Sequence, residues 1–320
     1  MAQEFIHLHN HTHYSLLDAI STVDGLVNAA VENNMKAVAL TDHGVMYGVM
    51  DFYNKARKRG IKPIIGCEVY VAQAATRFDK VKKAVARKIE NDDEPADNSD
   101  GLTSSSINYA HLILLAKNET GYRNLIKLCS LGHTEGYYYK PRIDLDVLNR
   151  YREGLVCTTA CAGGVISCYI TRGDMETARK MTGVYKDIFG EDLYLEIQDH
   201  QMENSDAERK VMAAMPKLAK EFGLKLIATN DVHYIKKEDA VAHNIYLHLS
   251  AKQSKLTADI DLTRHFRYGT DQIYFKSTQQ MVDLFKDFPE AITSTLEVTE
   301  KCNLVLDTST NYMPKYPIPK

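Results

Sequence analysis

Short runs of β-branched and other apolar residues alternate along this chain with amphipathic stretches that have helical periodicity. This alternation is typical of β-α units, in which helices connect the strands of one sheet. The predicted strands cover residues 5–9, 36–41, 62–72, 109–116, 154–160, 193–198 and 225–230. Seven such strands favour a closed α/β barrel, whose functional sites lie where the strands end.

Two parts of the chain depart from this pattern. Residues 73–108 are polar and predict a long flexible loop, which would join strands 62–72 and 109–116 as a hairpin and let Glu68 face His111. Beyond residue 235 helices dominate, with predicted helices over 238–250, 278–286 and 289–302. The chain ends in the proline-punctuated "NYMPKYPIPK", which predicts a linker rather than a closing element.

Composition excludes several classes of protein. A hydrophobic content of 44% and a net charge of -3 are ordinary for a globular protein and give no bulk electrostatic signal for nucleic acid. No apolar run reaches the roughly 20 residues of a membrane span, and polar residues from Glu4 onwards argue against a secretory signal. The six scattered cysteines do not resemble a disulfide framework. We therefore expect a reduced, cytoplasmic protein with no membrane partner.

Residues that bind metals are concentrated at the predicted strand ends. The stretch "HLHNHTH" places four histidines at alternate positions, which share one face of a strand. The motifs "LTDHG", "GCEVY", "TTACAGG" and "TNDVHY" add Asp, His, Glu and Cys. Imidazole, thiolate and carboxylate together suit zinc, manganese or iron, and a set this large predicts a cluster of two or three ions.

Each of these residues also has an ordinary structural explanation. A single H-x-H is more often a strand with hydrogen-bonded imidazoles, and Asp42 and His43 are also suited to a turn and a helix cap. Cys161 is equally suited to a small buried hydrophobe, and Glu68 to an ion pair with a lysine. These separate explanations do not account for the presence of all these residues at the same end of one barrel.

The motifs "HLHNHTHYSLLD", "LTDHG", "GCEVYV" and "TNDVHY" resemble those of the polymerase and histidinol phosphatase (PHP) domain family. The stretches "HLILLAKNETGYRNLIKLCSLGHTEGYYYKPRIDLDVL" and "RYGTDQIYFKSTQQMVDLFKDFPEAITSTLEVTEKCNL" resemble the form found at the N-terminus of bacterial DNA polymerase III alpha subunits. The resemblance implies an α/β fold, a distorted (β/α)7 TIM-like barrel over residues 1–275. A mainly helical segment, 276–320, would begin the polymerase region and a linker.

The resemblance also implies a trinuclear metal site. Its ligands, carried over by matching motif, would be His9, His11, Asp18, His43, Glu68, His111, Cys161, Asp231 and His233. The first ion would be held by His9, His11, Glu68 and Asp231. Glu68 would bridge to a second ion held by His111 and Cys161, and the third would be held by Asp18, His43 and His233. His7 would be an interior group and His13 a loop residue on the rim.

Clustered divalent ions lower the pKa of bound water and polarise phosphoryl oxygens, so this site predicts phosphoester hydrolysis. The expected cofactors are two or three ions of Zn²⁺, Mn²⁺ or both, with Fe²⁺ or Mg²⁺ as alternatives. The predicted catalytic residues are His11, His43, Glu68 and Asp231, while Cys161 would act only as a ligand. Within the polymerase family the implied activity is 3′–5′ exonucleolytic proofreading on a single-stranded 3′ end or primer terminus of DNA.

Other residues are candidates for binding roles around the metal site. Lys140 and Arg142, beside the tyrosines of "YYYKPRID", are candidate DNA contacts, although a solvated loop explains them equally well. Gln198 and His200 would edge the pocket without binding metal. The acidic pairs in "DLD" (144–146) and "DID" (259–261) lack the surroundings of a polymerase palm, so this chain is not expected to polymerise DNA.

Two further functions stay open at this point. One is a metal-binding domain that only stabilises the polymerase and docks a partner proofreading subunit. The other is a free-standing phosphomonoesterase of the histidinol phosphatase kind. In the polymerase the expected partners are DNA, the remainder of the alpha subunit, the sliding clamp and a separate proofreading subunit.

Overall fold

A computed structural model describes residues 4–73, 76–80, 109–202, 205–250 and 266–307, together with residues 310 and 313. The strands are β1 (Ala37–Leu40), β2 (Lys62–Ala72), β3 (Tyr109–Ala116), β4 (Tyr137–Tyr138), β5 (Lys140–Ile143), β6 (Leu155–Thr158), β7 (Leu193–Ile197) and β8 (Lys225–Ala228). The first five helices are α1 (Val23–Glu32), α2 (Val49–Lys58), α3 (Glu119–Thr134), α4 (Leu145–Arg150) and α5 (Ser167–Thr171). They are followed by α6 (Met175–Phe189), α7 (Asp206–Phe222), α8 (Ala240–Ser250), α9 (Thr278–Leu284) and α10 (Pro289–Lys301). Short 3₁₀ turns cover Gly190–Asp192 and Lys237–Asp239.

The strands form one sheet in the order β4-β5-β2-β3-β6-β7-β8, and β1 pairs with the first half of β2. The long strand β2 is paired in parallel with β1 and β5, while β3 is antiparallel to both β2 and β6. The pairs β6–β7 and β7–β8 are parallel. Because β3 runs against its neighbours, its amino end lies at the same edge of the sheet as their carboxyl ends.

An extended segment over residues 7–11 lies between β1 and the chain that follows β8. Ala39 N donates to the carbonyl of His7, and His11 N donates to the carbonyl of Val232. The side chain of Asn10 donates to the carbonyls of Ala39 and His7 at 2.9 and 3.1 Å. These bonds connect the two edges of the sheet and close the barrel.

The predicted strands correspond to the seven segments of this ring, with one local difference. Segment 5–9 is extended but not a regular strand, because side chains such as Asn10 and Thr41 replace backbone partners along it. The short strands β4 and β5 add to the predicted set, because the sequence marks "YYYKPRID" only as a candidate DNA contact or a solvated loop. The fold is the expected distorted, TIM-like α/β barrel followed by a mainly helical segment.

The predicted hairpin of β2 and β3 is present, and it brings Glu68 to face His111 as expected, with Glu68 Oε1 3.0 Å from His111 Nδ1. His111 lies directly opposite Tyr70, and Glu68 lies opposite Ile113. Glu68 and His111 are therefore diagonal neighbours on one face rather than directly opposed residues. The predicted loop over 73–108 and the "DID" stretch of 259–261 lie largely or wholly outside the described residues.

Helix caps hold the outer layer in place. The side chain of Thr22 accepts from Gly25 N at the start of α1, and Gly223 ends α7 with a left-handed φ of 62°. Asp144 caps α4 and forms an ion pair with Arg77 at 3.0 Å, so it has a structural partner.

The C-terminal helices pack against the barrel. Met281 and Val298 are buried in the same hydrophobic core as the strands. Thr295 Oγ1 accepts from Ile6 N at 3.2 Å in the interior. The predicted division at residue 275 stays a prediction, because this packing is continuous across it. None of the helices in the described ranges is long and apolar enough to cross a membrane.

Two helical glycines provide a matched test of this packing. A Cβ on Gly121 would lie 1.8 Å from the carbonyl oxygen of Gly154, whereas for one on Gly183 the only contact with the described residues would be the ring of Phe222 at 3.6 Å. Gly121→Ala is therefore expected to lower the free energy of unfolding by about 1–3 kcal/mol, and Gly183→Ala to raise it by up to about 1 kcal/mol. Urea denaturation followed by circular dichroism measures both. Equal effects of the two substitutions would contradict the close approach at Gly121.

Candidate metal centre

The nine residues predicted as ligands lie together at one end of the barrel. Each has a ligand atom within 3.5 Å of another member of the set. His9 and His11 come from the closing segment, and the other seven come from β2, β3 and the loops around the barrel end. The antiparallel direction of β3 allows His111, near its amino end, to reach the same place.

The first predicted grouping surrounds the imidazoles of His9 and His11. Asp231 Oδ1 lies 3.1 Å from His9 Nε2 and 3.2 Å from His11 Nε2. Glu68 Oε2 lies 3.5 and 3.1 Å from the same two nitrogens. The two Nε2 atoms are 3.1 Å apart, so four ligand atoms face one another.

The other two groupings share residues with the first. Glu68 Oε1 lies 3.0 Å from His111 Nδ1, which is 3.4 Å from the sulfur of Cys161. Asp18 Oδ2 lies 2.6 Å from His43 Nε2 and 3.2 Å from His233 Nε2. His43 Nδ1 is in turn 2.8 Å from Glu68 Oε2. The two oxygens of Glu68 thus face different groups, which is the arrangement expected of a bridging carboxylate.

The donor set suits divalent cations. Both oxygens of Glu68 and Oδ1 of Asp231 are buried, and within the described part of the chain none of them has a hydrogen bond of acceptable geometry. Three sets of three ligand atoms lie within 4.8 Å of one another: His9, His11 and Asp231; His43, Glu68 and His111; and His11, His43 and His233. Buried carboxylate oxygens that converge with imidazole nitrogens call for positive charge between them, and divalent ions meet this requirement.

The electrostatics of the cluster oppose the effect of burial. Burial alone would raise the pKa of Glu68, but the adjacent imidazoles of His111, His43 and His9 hold it well below its usual value. In the same way, burial opposes ionisation of Asp231, yet His9 and His233 hold its pKa well below normal. These carboxylates are therefore ionised at neutral pH.

The imidazoles show the complementary shift. Burial lowers the pKa of His111, but Glu68 and Cys161 more than offset this and raise it to about 10. Asp18 and Asp231 raise the pKa of His233 to about 9 against the same burial effect. Without metal ions the cluster is thus held together by protons on its imidazoles.

Residues outside the predicted set orient several ligands. The Ser15 hydroxyl donates to Asp42 Oδ1 at 2.8 Å and lies 3.0 Å from His11 Nδ1. Asp42 also accepts from the backbone of Thr12 at 2.6 Å. The hydroxyl of Tyr268 donates to Asp18 Oδ1. Asp42 was visible in the sequence only as a neighbour of His43, and nothing in the sequence pointed to Tyr268.

The remaining histidines of the opening stretch lie apart from the cluster. His7 is fully buried, its Nε2 donates to the carbonyl of Lys276 at 2.8 Å, and burial lowers its pKa to about 4. His13 is exposed on the rim. His200, from the chain after β7, is also outside the cluster, and its Nδ1 pairs with Glu208 Oε1 at 2.9 Å.

The two predicted DNA contacts have different surroundings. The amino group of Lys140 lies 5.1 Å from the centroid of the Tyr70 ring, and that ring packs 5.3 Å from His111. Arg142 is 0% exposed, and its guanidinium donates to the carbonyls of Gly136 and Arg77. The prediction of a phosphate contact is therefore corrected for Arg142, because β5 places this side chain in the interior.

Metal binding is expected to be coupled to proton release. In the metal-free protein His111 and His233, with pKa values of about 10 and about 9, carry protons at pH 7 that an ion must displace. Raising the pH from about 7 to about 9 should therefore strengthen binding, by up to about tenfold per pH unit for each proton displaced. Calorimetry in buffers of different ionisation enthalpy measures both the metal affinity and the number of protons released. A pH-independent affinity without proton release would contradict this electrostatic description.

The stability of the metal-free protein should change in the opposite direction to the metal affinity and fall as the pH rises. The raised imidazole pKa values stabilise the fold fully below the unfolded value of 6.5, and this stabilisation is lost as the pH passes about 9 and about 10. Thermal melts of chelator-treated protein across this range provide the control.

Comparison with known proteins places the chain among its relatives. A family model described as the PHP domain matches residues 7–200. A DNA polymerase III subunit alpha from Borreliella burgdorferi is 40% identical over 299 residues, which cover 93% of this chain and 24% of the relative. The subunit alpha from Aquifex aeolicus is 37% identical over 326 residues, which cover 100% of this chain and 26% of the relative. The chain thus spans about a quarter of the length of these curated relatives.

Solved structures provide more distant likenesses. An amidohydrolase from Chromobacterium violaceum aligns with a TM-score of 0.45 at 14% identity, covering 71% of this chain and 87% of its own. A two-domain protein from Bacteroides vulgatus, containing a predicted PHP-like metal-dependent phosphoesterase, aligns with a TM-score of 0.40 at 14% identity, covering 72% of this chain and 52% of its own. The family match over residues 7–200 includes seven of the nine predicted ligands, from His9 to Cys161. On this match, the chain belongs to the PHP domain family.

Proposed function

We propose that this chain is the PHP domain of a bacterial DNA polymerase III alpha subunit and that its metal centre removes nucleotides from the 3′ end of DNA. The observation that carries the proposal is the convergence of nine metal-competent side chains with no member of the set replaced. The similarity to polymerase alpha subunits over 93–100% of the chain supports DNA as the substrate. Proofreading would be the purpose of such a 3′–5′ exonuclease.

Two or three divalent ions, zinc or manganese before iron or magnesium, would lower the pKa of a water and polarise the phosphoryl oxygen. The chain's own residues would hold these ions in the three groupings described above, which makes the proposed site trinuclear. Glu68 would set the spacing between ions because its two oxygens face different groups. His11 and His43 each belong to two sets of close ligand atoms, so the three groupings adjoin one another.

The exposed side of the cluster indicates where a phosphate would enter. The side chains of Asp18, His43, His111 and Asp231 are 12–16% exposed, whereas His9 and His11 are 0% and Glu68 is 1% exposed. His43 and Asp231 would therefore meet the substrate, and His11 and Glu68 would act from the interior. These four residues are the proposed catalytic set.

Cys161 is suited to binding an ion and not to attacking the substrate. Burial raises the pKa of its thiol, and the opposing effect of His111 does not compensate fully. A thiol in this state is a weak nucleophile. In the presence of an ion the same sulfur, 3.4 Å from His111 Nδ1, would serve as a soft ligand.

A positively charged side chain beside the site, that of Lys140, would suit the phosphates of a DNA backbone. Lys140 is partly exposed and sits over Tyr70, whose ring packs against both His43 and His111. Its ammonium would thus lie near the entrance that the exposed ligands define. The remainder of the alpha subunit, the sliding clamp and a separate proofreading subunit would be partners of the longer protein, which we place in the cytoplasm.

Two alternatives predict different results. A purely structural metal site that docks a proofreading subunit would bind ions without hydrolysing DNA. A free-standing phosphomonoesterase would cleave a terminal phosphate but not a phosphodiester, and it accounts less well for similarity to polymerase subunits that extends beyond residue 200.

The activity can be tested with end-labelled single-stranded DNA and Zn²⁺ or Mn²⁺. We expect stepwise shortening from the 3′ end by the unaltered chain and none by Asp231→Asn, which removes a ligand oxygen at almost constant volume. Asparagine also tolerates the positive φ of 46° at this position. Asp187→Asn, on the exposed face of α6, is the matched control and should keep full activity. Metal binding without any cleavage by the unaltered chain would favour the structural alternative.

Lys140 can be tested separately through salt dependence. We expect Lys140→Ala to weaken binding of a single-stranded oligonucleotide and to reduce the slope of log affinity against log salt by about 0.7. Fluorescence anisotropy with chelator present measures binding without cleavage. Lys180→Ala, at an exposed position on α6, should change neither quantity. An unchanged slope in Lys140→Ala would exclude a backbone contact at this residue.

A further inference from the structure

Among the seven segments that close the barrel (residues 7–11, β1, β2, β3, β6, β7 and β8), only β7 contributes no residue to the predicted ligand set, either in itself or in the turn after it. The closing segment and the turn after it provide His9, His11 and Asp18, and β1, β2, β3, β6 and β8 or the turns after them provide the other six ligands. At the level of the cluster β7 carries Glu196, whose side chain is 0% exposed. A buried carboxylate is costly unless hydrogen-bond donors or positive charges compensate for the loss of water. The contacts of Glu196 therefore show what this side chain is kept for.

Glu196 is surrounded by hydrogen-bond donors. Its Oε1 accepts from His9 Nδ1 at 2.7 Å, from Gln198 Nε2 at 2.9 Å and from the hydroxyl of Thr229. Its Oε2 accepts from the backbone of Ala160 at 3.1 Å and from the hydroxyl of Thr158. Both oxygens are thus fully used, and His9 is the only metal-ligand candidate among the partners.

These contacts fix which nitrogen of His9 faces the cluster. A carboxylate only accepts, so the hydrogen on the imidazole lies on Nδ1, 2.7 Å from Glu196. Gln198 Nε2 is farther from this nitrogen, at 3.4 Å, and its hydrogens are directed to Glu196 and Thr229. In the neutral form of His9 that can bind a metal ion, the lone pair therefore lies on Nε2, the atom that faces Asp231 Oδ1 at 3.1 Å.

The neighbouring ligand His11 is held in the same tautomer by a different device. The single hydrogen of the Ser15 hydroxyl is directed to Asp42, so the hydroxyl accepts from His11 Nδ1. The two Nε2 atoms are 3.1 Å apart, so in their neutral forms both imidazoles would offer these nitrogens to the same ion. This agreement between two independent supports strengthens the assignment for His9.

Glu196 also connects the strand ends that deliver two other ligands. Ala160, with a positive φ of 59°, immediately precedes Cys161, and Thr229 lies two residues before Asp231, whose φ is 46°. Non-glycine residues in this backbone region are strained and need their surroundings to hold them. The contacts of Glu196 to Ala160 and Thr229 provide part of that restraint.

We propose that Glu196 is a positioning residue of the metal centre, which fixes the tautomer of His9 and ties together the chain segments that carry Cys161 and Asp231. It acts through His9 and does not touch the ions or the substrate. The inference rests on the proposed metal centre but not on the exonuclease reaction, so its test uses metal binding instead of DNA cleavage.

The test compares Glu196→Gln with Glu297→Gln. In Glu196→Gln an amide nitrogen must face donors on one side or the other, so the bond to His9 or the strand connection is lost. Glu297 also accepts from a tyrosine and a lysine, but on the outside of the barrel. We expect zinc affinity, measured by competition with a chromophoric chelator, to fall about 10- to 100-fold in Glu196→Gln only.

Thermal melts of both metal-free variants separate positioning from a general structural role. A lower melting temperature of metal-free Glu196→Gln with unchanged zinc affinity would overturn the proposal.

A second measurement needs no variant and decides the matter if Glu196→Gln does not fold. In zinc-loaded protein labelled with ¹⁵N-histidine, we expect the NMR spectrum to show His9 protonated at Nδ1 and bound to metal through Nε2. Binding through Nδ1 would overturn the proposal. Absence of exonuclease activity would count against the proposed function alone.

Discussion

The barrel is arranged around a carboxylate that is buried among imidazoles. Glu68, in the middle of β2, is 1% exposed and has the rings of His9, His11, His43 and His111 within 3.5 Å. A buried charge of this kind costs several kcal/mol unless opposite charges surround it closely. The fold meets this requirement by bringing imidazoles from three separate parts of the chain to one strand. Protons compensate the charge when metal is absent, and divalent ions would take their place.

The direction of the strands makes this convergence feasible. The parallel strands end at one edge of the sheet, while β3 runs the other way and begins there. The hairpin between β2 and β3 thus places two ligands, Glu68 and His111, diagonally on the same face. A uniformly parallel barrel would have left His111 at the opposite end. The antiparallel pair is therefore a condition for the site as well as a local feature of the sheet.

Much of the arrangement could be predicted from residue patterns. Alternating histidines and strand-end motifs are local signals, because the period of a strand decides which side chains share a face. The irregular backbone of residues 7–11 was not visible, since it depends on Asn10 meeting β1. The burial of Arg142 was also missed, because its partner Arg77 lies 65 residues away. Glu196 and Tyr268 escaped notice for the same reason: each acquires its role from a residue on a distant part of the chain.

The separation in sequence between partners determines when the centre can form during synthesis. Asp18 depends on His233 and on Tyr268, which follow it by 215 and 250 residues, and the backbone of Ile6 bonds to Thr295, 289 residues later. Ribosomes add about 5–20 residues per second, so the first histidines emerge at least several seconds before these partners exist. During that interval His9 and His11 belong to an incomplete barrel with an open edge. Metal capture by the finished cluster would consequently be one of the last steps in the maturation of this domain, after the segments up to Thr295 have been made and folded.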